Sequence, residues 1–490
     1  MSKLNKYLPV FKKYLPLFFF ILIIGGLWIR SITLSSVPFF EWDESIYAQV
    51  AREWLRHPGL TLHYNGSLWF EKPPLLFAVI GILFQIFGAS EFIARLPSVF
   101  AAICCVVLIY QIIGHITKNT FAQIAGMLLF ASTPFFIDRA SIVNVDIFLT
   151  LGWLLYVCDG TFASKFIGTI VGVWTKSFLG LFPLCADIAL SIYYHSVTQK
   201  KIREWVVIAL VSLAWHIIML AQYTDQFISS HIKDHLISRV TTPIELHFGG
   251  KFFYIEKLWE NYPLLLAVAA IGVLLWIFMH IKRYDTKNAD VLFLLPLAYF
   301  VLLTVGKSKL SWYIMPALPF ISIWIIFALQ HISRRFVQNL CYVGLILWSG
   351  SMVAQQTYGF TITNPRVPQQ VSLARCQQYM PPFTRVAYLV SPTQRKDAQV
   401  IEAAQVAIAS SFIYGSAPSF VFYIDKPVTF FYKPVEFLNH VHEYDAFAMH
   451  IDDTTLLGEG AQKAFTPHME VITECERGDW ILYSRDTVAK

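Results

Sequence analysis

The chain has 490 residues, of which 56% are hydrophobic, 16% are aromatic and only 14% are charged. Ordinary soluble domains carry about 25% charged residues, and the mean hydropathy here is +0.54. These values exclude a soluble globular protein, a disordered chain and a nucleic-acid-binding protein. The seven cysteines show neither metal-ligand nor C-x-x-C spacing, so neither a zinc finger nor a thioredoxin-type site is indicated.

Apolar runs follow a lysine-rich N-terminus, and each is close to the length that crosses a hydrocarbon core of about 30 Å. They lie near 15–36, 93–115, 119–136, 141–158, 164–177, 178–195, 204–222, 259–281, 289–305, 311–330 and 337–356. The first run is too long for a signal-peptide core, which predicts an uncleaved span and a cytoplasmic N-terminus.

Residues 73–88 form one further apolar segment, which as a helix is about 24 Å long and short for a span. If this segment does not cross, every short basic loop lies on the same side as the lysine-rich N-terminus. That arrangement obeys the positive-inside rule. We therefore expect a helix lying along the outer leaflet, and a mostly α-helical membrane bundle of about 11–13 spans.

The same topology places residues 37–92, 137–140, 223–258, 306–310 and everything after about 357 outside. We predict a membrane domain over 1–356 and a small extracytoplasmic α/β domain over 357–490. Strand-like runs in the second domain alternate with helix-like ones; they lie at 385–391, 427–431, 445–451 and 480–484. Because disulfides persist outside the cytoplasm, Cys376 and Cys475 are expected to pair; two unpaired thiols are the alternative.

Carboxylates are concentrated in the first outer loop. Asp43 and Glu44 lie among aromatic residues, and Glu71-Lys72 closes the loop before Pro73-Pro74. Partial desolvation at a lipid–water boundary raises a carboxylate's pKa and makes it a better base. The ordinary alternative is a set of solvated acids.

Two further clusters contain acids and histidines. Asp146 begins a span at its outer end, where intramembrane acids are usually functional or paired; the alternative is an ion pair with Arg139. The loop 231–247 contains three histidines (His231, His235 and His247) together with Asp234, Arg239 and Glu245. Histidine and carboxylate ligands suit a metal, whereas surface histidines are the simpler interpretation.

The last cluster combines Lys307, Lys309 and Tyr313 at an outer membrane boundary. Such groups are able to hold a phosphate, although Lys, Trp and Tyr also serve as interfacial anchors. All four clusters lie on one side under a topology chosen only from Lys and Arg positions. Because nucleotide sugars are cytoplasmic and no P-loop or G-x-G-x-x-G occurs, an enzyme here needs a substrate activated in the membrane, such as a polyprenyl phosphate.

Several motifs occur in an order that resembles a known family. They are Asp43-Glu44-x-x-Tyr47, Asn65-Gly66 followed by Glu71-Lys72-Pro73-Pro74, Glu91-Phe92-x-x-Arg95-Leu96-Pro97-Ser98, Asp146, His235 with Arg239, and Ser308-Lys309-Leu310-x-x-Tyr313-x-x-Pro316. The pattern resembles the bacterial GT-C glycosyltransferases related to protein O-mannosyltransferases, and most of all the lipid A aminoarabinose transferase family. The likeness covers roughly residues 15–355.

The resemblance implies a GT-C fold with membrane-parallel helices in the first outer loop. It also implies inverting transfer of one sugar from a polyprenyl-phosphate donor. By this likeness Asp43 is the catalytic carboxylate, and the lipid phosphate is held by Lys72, Arg239 and Tyr313. Glu71 and His235 match positions that bind a divalent metal ion. Two departures are Lys176-Ser177-Phe178, where Lys-Gly-Pro is usual, and Trp312 in place of a histidine.

Our hypothesis is an inner-membrane glycosyltransferase that acts at the outer face on a lipid, glycan or protein acceptor. Its site residues are Asp43, Glu44 and Asp146 for catalysis, Lys72, Arg239, Lys309 and Tyr313 for the donor phosphate, and Glu71 and His235 for a metal. No nucleotide cofactor and no nucleic-acid partner is expected. A lipid flippase or transporter, and a non-enzymatic anchor for the C-terminal domain, stay open as alternatives.

Overall fold

The computed structural model describes residues 2–243, 247–362, 367–403, 413–453 and 472–485, so Glu245 lies outside the described residues. The helices of the membrane part are α1 (Ser2–Leu34), α2 (Asp43–Arg56), α3 (Leu75–Phe87), α4 (Glu91–Ile116), α5 (Thr120–Ala131), α6 (Pro134–Ala140), α7 (Asp146–Cys158), α8 (Phe162–Lys176), α9 (Phe182–Tyr193), α10 (Gln199–Gln222), α11 (Thr224–Phe227), α12 (Ser238–Thr241), α13 (Phe253–Asn261), α14 (Pro263–Ile281), α15 (Lys287–Val305), α16 (Leu318–Gln330) and α17 (Arg335–Ile362). A π-helical stretch, Ile228–Ile237, joins α11 to α12.

Among the described residues, seven helical stretches are long and apolar enough to cross a membrane, or eight if the bent pair α5 and α6 is one span. This is fewer than the eleven runs expected. The difference arises because α7 and the apolar part of α15 are shorter apolar helices, and because the stretch Phe162–Tyr193 contains two of the expected runs.

The stretch Phe162–Tyr193 doubles back on itself. Nζ of Lys165, near the start of α8, lies 2.7 Å from Oδ2 of Asp187 in α9, so the two helices run antiparallel. The chain reverses after Lys176, where Ser177 has a φ of 57°. Lys176 therefore lies at the tip of a hairpin rather than within a continuous helix.

Both ends of α3 are held at the same face of the molecule. Before this helix, the indole Nε1 of Trp69 donates to the hydroxyl of Tyr414, at 2.7 Å. After it, the hydroxyl of Tyr423 donates to the carboxylate of Glu91, also at 2.7 Å. Tyr414 and Tyr423 belong to the C-terminal domain, and a helix of 13 residues is only about 20 Å long. This geometry supports the expectation that 73–88 does not cross.

The C-terminal part forms a five-stranded sheet with helices packed against it. Its strands are β3 (Val386–Leu389), β4 (Val428–Phe431), β5 (Ala446–His450), β6 (Ile472–Arg477) and β7 (Trp480–Arg485), and its helices are α18 (Gln369–Arg375), α19 (Pro392–Ala403), α20 (Pro418–Ile424) and α21 (Pro434–His440). The strand order is β4-β3-β5-β7-β6; β3 pairs in parallel with β4 and β5, and β7 pairs antiparallel with β5 and β6.

All four strands predicted for this domain are present, so the small α/β domain is confirmed. The sequence missed β6, because its charged residues give it no apolar alternation and it lies at the edge of the sheet. The predicted disulfide is also confirmed: Cys376 and Cys475 are bonded, with Cα atoms 6.1 Å apart.

A short β-hairpin of the first outer loop contacts the C-terminal domain. It consists of β1 (Leu62–Tyr64) and β2 (Ser67–Trp69), paired antiparallel. At its turn, Asn65 accepts from the backbone N–H of Val428 at 3.0 Å and donates to the carbonyl of the same residue at 2.6 Å. Nearby, the carboxylate of Glu41 accepts from the backbone and hydroxyl of Ser419 at 2.7 and 2.6 Å. The C-terminal domain therefore covers the loop that contains Asp43.

Candidate active site

A cavity of about 890 Å³ lies between the membrane helices and the C-terminal domain. Its lining includes eight of the nine predicted site residues: Asp43, Glu44, Glu71, Lys72, Asp146, His235, Arg239 and Tyr313. Lys309 is the exception. Segments distant in sequence thus meet at one place, although the functions of these residues remain predictions.

Asp43 is the first residue of α2 and lines the cavity. Its side chain is exposed to the cavity, while many protein atoms lie around it. This burial raises the pKa of Asp43, while the positive charges of Lys72, Arg239 and Arg139 oppose the rise. A carboxylate with a raised pKa is a stronger base than an ordinary aspartate.

Glu44 also lines the cavity, but both of its carboxylate oxygens accept hydrogen bonds from protein groups. Its two oxygens accept from the guanidinium of Arg95 at 2.7 and 2.8 Å, and both residues are almost completely buried. The same carboxylate accepts from the backbone N–H groups of Phe40 and Val143, each at 2.9 Å. Glu44 therefore holds the start of α2 in place. Its side chain points in a different direction from that of Asp43, because adjacent residues of a helix do not face the same way.

Glu71 and His235 lie side by side. Oε1 of Glu71 is 3.2 Å from Nε2 of His235 and accepts a hydrogen bond from the hydroxyl of Tyr414. Burial alone would raise the pKa of Glu71, but His235, Lys72 and the Tyr414 hydroxyl outweigh it and hold this pKa at about 2. Burial lowers the pKa of His235. The pair is thus an ionised carboxylate beside an imidazole that is neutral at pH 7.

This pair provides two ligands of the kind that divalent cations take. Nε2 of His235 faces the carboxylate of Glu71, whereas Nδ1 makes no hydrogen bond and is the nitrogen that could bind a cation. Over the described residues no group of three or more His, Cys, Asp and Glu side chains is arranged to hold a metal. The residues fit a cation only if substrate or water supplies the remaining ligands. The interpretation of His231 and His235 as surface histidines is wrong, because His231 is 3% exposed and the His235 side chain 7%.

Three of the four groups predicted to hold phosphate line the cavity. Nη1 of Arg239 donates to the hydroxyl of Tyr313 at 2.7 Å. Lys72 lies near Arg239 and Asp43, and burial lowers its pKa to about 8. An ammonium, a guanidinium and a phenol therefore face the same space, which is the donor set that phosphate oxygens accept from.

Asp146 has a partner that the sequence did not predict. It forms an ion pair with Lys176 at the tip of the α8–α9 hairpin, and the Lys176 Nζ lies 4.7 Å from the ring of Tyr313. The expected partner, Arg139, stacks on Trp312 instead, at 4.2 Å. The pairing was missed because Lys176 lies near the end of the apolar run 164–177, and nothing local indicates which residue its ammonium contacts.

Lys309 does not reach the cavity. Its ammonium donates to the carbonyl of Leu303, and to that of Thr304 at 3.0 Å. These carbonyls belong to the last turn of α15, where a cation is favourable because the helix leaves them unpaired. The structure therefore assigns Lys309 to capping this helix rather than to binding a donor.

The second wall belongs to the C-terminal domain. Gln394, Asp397, Tyr414, Ser416 and Tyr432 line the cavity opposite the basic residues. The sequence could not identify them, because nothing in a polar domain shows which face is docked.

Comparisons with known proteins show what the chain is similar to. The family described as dolichyl-phosphate-mannose-protein mannosyltransferase matches residues 71–218, a segment that contains Glu71, Lys72, Asp146 and Lys176. The chain is 27% identical over 358 residues to an uncharacterized protein of Aquifex aeolicus, covering 69% of this chain and 78% of that one.

Another curated relative is the undecaprenyl phosphate-alpha-4-amino-4-deoxy-L-arabinose arabinosyl transferase of Pseudomonas savastanoi. It is 29% identical over 305 residues, covering 56% of this chain and 54% of the relative. The chain thus spans about half the length of the arabinosyl transferases it matches.

The fold has solved counterparts. The crystal structure of ArnT from Cupriavidus metallidurans bound to undecaprenyl phosphate superposes with a TM-score of 0.66 and 15% identity, covering 96% of this chain and 98% of that one. The apo state of the same protein gives a TM-score of 0.64 and 16% identity, covering 95% and 97%.

The chain therefore has the fold of the solved ArnT structures, and its residues 71–218 match the protein mannosyltransferase family. It is similar to membrane glycosyltransferases of the GT-C class, of the type represented by ArnT and the protein mannosyltransferases.

Proposed function

We propose that this protein transfers one sugar, with inversion, from a polyprenyl-phosphate donor to an envelope acceptor at the outer face of the inner membrane. The observation that carries this proposal is the meeting of Asp43 with Lys72, Arg239 and Tyr313 in one cavity. A base and a phosphate-binding set are the two parts that such a transfer needs.

In the proposed reaction Asp43 removes the proton from the acceptor hydroxyl. The hydroxyl oxygen attacks the anomeric carbon, and the bond from that carbon to the phosphate oxygen breaks. The electron pair goes to the departing polyprenyl phosphate, whose increased negative charge is stabilised by Lys72, Arg239 and Tyr313. Attack from the face opposite the leaving group inverts the anomeric configuration.

Two observations support the donor class and the orientation. Undecaprenyl phosphate is the compound bound in one solved relative and is named in the arabinosyl transferases, so we extend a polyprenyl-phosphate donor to this chain. The Cys376–Cys475 disulfide suits an oxidising compartment. Together with the basic inner loops, it favours a cytoplasmic N-terminus and an extracytoplasmic cavity.

A lipid of the envelope is the acceptor that the relatives favour, and a glycan or a protein remains within the proposal. A divalent metal at Glu71 and His235 is a further part of it. A cation there would neutralise charge beside the donor phosphate.

Substitution of Asp43 by asparagine tests the function most directly. Asparagine keeps the size of the side chain but accepts no proton at neutral pH. General-base catalysis contributes about 10²–10⁴-fold, so we expect a loss of that size in sugar transfer from a purified polyprenyl-phosphate donor. The measurement is release of polyprenyl phosphate together with labelled product.

Glu44→Gln is the matched comparison, because it makes the same chemical change one residue away. It removes the partner of buried Arg95, so we expect it to lower the thermal stability of the protein, by about 3–5 kcal/mol in unfolding free energy. The fraction that stays folded should turn over the donor. Full activity in Asp43→Asn would contradict the proposed role of this loop and would favour the transporter and anchor alternatives.

A further inference from the structure

Ser177 occupies a backbone conformation that ordinarily belongs to glycine. Its φ is 57° and its ψ is −141°, a region that is sparsely populated by residues with a Cβ. The turn around it is tight: a Cβ added to Gly180 would lie 2.1 Å from the backbone nitrogen of Val173. A serine at this position therefore calls for a reason beyond the shape of the turn.

The hydroxyl of Ser177 lies between two histidines. Its Oγ is 2.8 Å from Nε2 of His216 and 2.8 Å from Nε2 of His231. On the other side of its ring, Nδ1 of His231 is 2.7 Å from the carbonyl oxygen of Phe70. The hydroxyl thus joins the tip of the α8–α9 hairpin to α10, the π-helical stretch and the first outer loop.

Hydrogen-bond chemistry fixes the direction of this chain. The carbonyl of Phe70 only accepts, so Nδ1 of His231 carries the proton and its Nε2 accepts. Ser177 therefore donates to His231, and His216 donates through Nε2 to the Ser177 oxygen. Burial lowers the pKa of His231 to about 3, which keeps the ring neutral in this arrangement.

This series of hydrogen bonds links two backbone segments, and each segment lies next to a lysine that lines the cavity. Phe70 is two residues before Lys72, and Ser177 follows Lys176 directly. Lys72 lies near Asp43 and Arg239, while Lys176 pairs with Asp146 below the ring of Tyr313. The buried link therefore joins the two backbone segments that carry these lysines.

We propose that Ser177 is a positioning residue, which holds Lys72 and Lys176 at the separation that the leaving phosphate needs. The inference rests on the proposed function, since it takes that phosphate as the ligand. It accounts for a serine at a positive φ, because glycine would suit the turn but would leave both histidines without their common partner.

A nucleophilic serine is the rival interpretation, since hydroxyl, imidazole and carbonyl stand in the order of a nucleophile, a base and an orienting group. The neutral, buried His231 is a poor acceptor for the proton of such a serine. The two roles are separable by experiment.

The test uses two variants of the full-length protein in detergent, Ser177→Gly and Ser177→Ala. Both lose the hydroxyl, but only glycine relieves the backbone. We expect Ser177→Gly to have the higher melting temperature of the two. Both should bind undecaprenyl phosphate about tenfold more weakly than wild type, because a misplaced charged contact loses free energy of that order.

Thr175→Ala is the matched control. It removes a buried hydroxyl two residues away that bonds only to carbonyls of its own helix, those of Val171 at 2.6 Å and Gly172 at 3.2 Å. It should bind undecaprenyl phosphate like wild type.

Binding that followed stability, with Ser177→Gly binding like wild type and only Ser177→Ala impaired, would overturn the positioning role. So would wild-type binding in both variants, or covalent labelling of Ser177 by a fluorophosphonate. Failure of the wild-type protein itself to bind undecaprenyl phosphate would instead overturn the proposed function, and this inference with it.

Discussion

The two walls of the cavity differ in charge. The membrane wall carries both signs: four cations, Lys72, Arg139, Lys176 and Arg239, and five carboxylates, Glu41, Asp43, Glu44, Glu71 and Asp146, whereas the described lining residues of the C-terminal domain include no cation and one carboxylate, Asp397. Cations that a phosphate could contact therefore lie on the first wall and not among the described residues of the second. Under the proposed function, this difference favours separate tasks for the two walls, with the donor phosphate held by the membrane wall.

Apart from Asp43→Asn, the largest expected effect comes from removing a cation of the membrane wall. Arg239→Ala deletes a charge-assisted contact worth roughly 1.5–3 kcal/mol, which corresponds to about 10–150-fold in kcat/KM. Steady-state kinetics with the polyprenyl-phosphate sugar measure it. Lys233→Ala, an exposed residue of the adjacent π-helical stretch that does not line the cavity, is the control and should behave like wild type.

The next effect is a pH dependence of the membrane wall. Transfer needs Asp43 deprotonated and Lys72 protonated, so activity should rise as Asp43 ionises, above the usual range for aspartate, and fall as Lys72 loses its proton near pH 8. Lys72→Arg keeps its charge at high pH and should abolish the alkaline fall. A fall that persists unchanged in Lys72→Arg would assign it to another group.

The C-terminal wall should respond to loss of its disulfide. The double variant Cys376→Ser/Cys475→Ser removes a link across 99 residues, which should destabilise this domain by about 2–5 kcal/mol. Protease sites in the C-terminal domain should be cleaved at lower temperature, while undecaprenyl phosphate binding by the intact protein stays near wild type. Cys185→Ser, at an exposed free cysteine, is the control. Equal loss of donor binding would show that the walls are not independent.

The smallest expected effect is on the donor when charge is reversed on the C-terminal wall. Asp397→Lys places a cation there, and because charges across a wet cavity are largely screened, the donor KM should stay within about threefold of wild type. Lys396→Ala, a change to the exposed neighbour on α19, is the matched control. A tenfold fall in donor KM for Asp397→Lys would mean that the donor touches both walls.

The membrane wall was largely predictable from sequence, and the C-terminal wall was not. The motifs that contain Asp43, Glu71, Lys72 and Arg239 indicate their chemistry, because charged residues at a membrane are costly and are usually functional or paired. Side-chain direction was not readable: nothing local showed that Glu44 faces Arg95 or that Lys309 caps α15.

The partners of side chains and the docking of domains were equally hidden from the sequence. Lys176 lies near the end of the apolar run 164–177, and only the fold shows that its ammonium lies beside Asp146. Tyr414 reaches Glu71 from more than 340 positions away, a contact that exists only because two domains meet. Strand positions in the C-terminal domain were predictable because apolar runs mark them, whereas the surface that faces the cavity has no such mark.

The strand order of the C-terminal domain also determines when this domain is able to fold during synthesis of the polypeptide. β7, which ends at Arg485, lies inside the sheet between β5 and β6, and Cys475 finds its partner 99 residues earlier. The ribosome therefore releases nearly the whole chain before this sheet is able to close. During synthesis the residues of the membrane wall are therefore made before the C-terminal domain is able to fold. A polypeptide truncated after α17 would keep the residues proposed to bind the donor and would lack the C-terminal wall of the cavity.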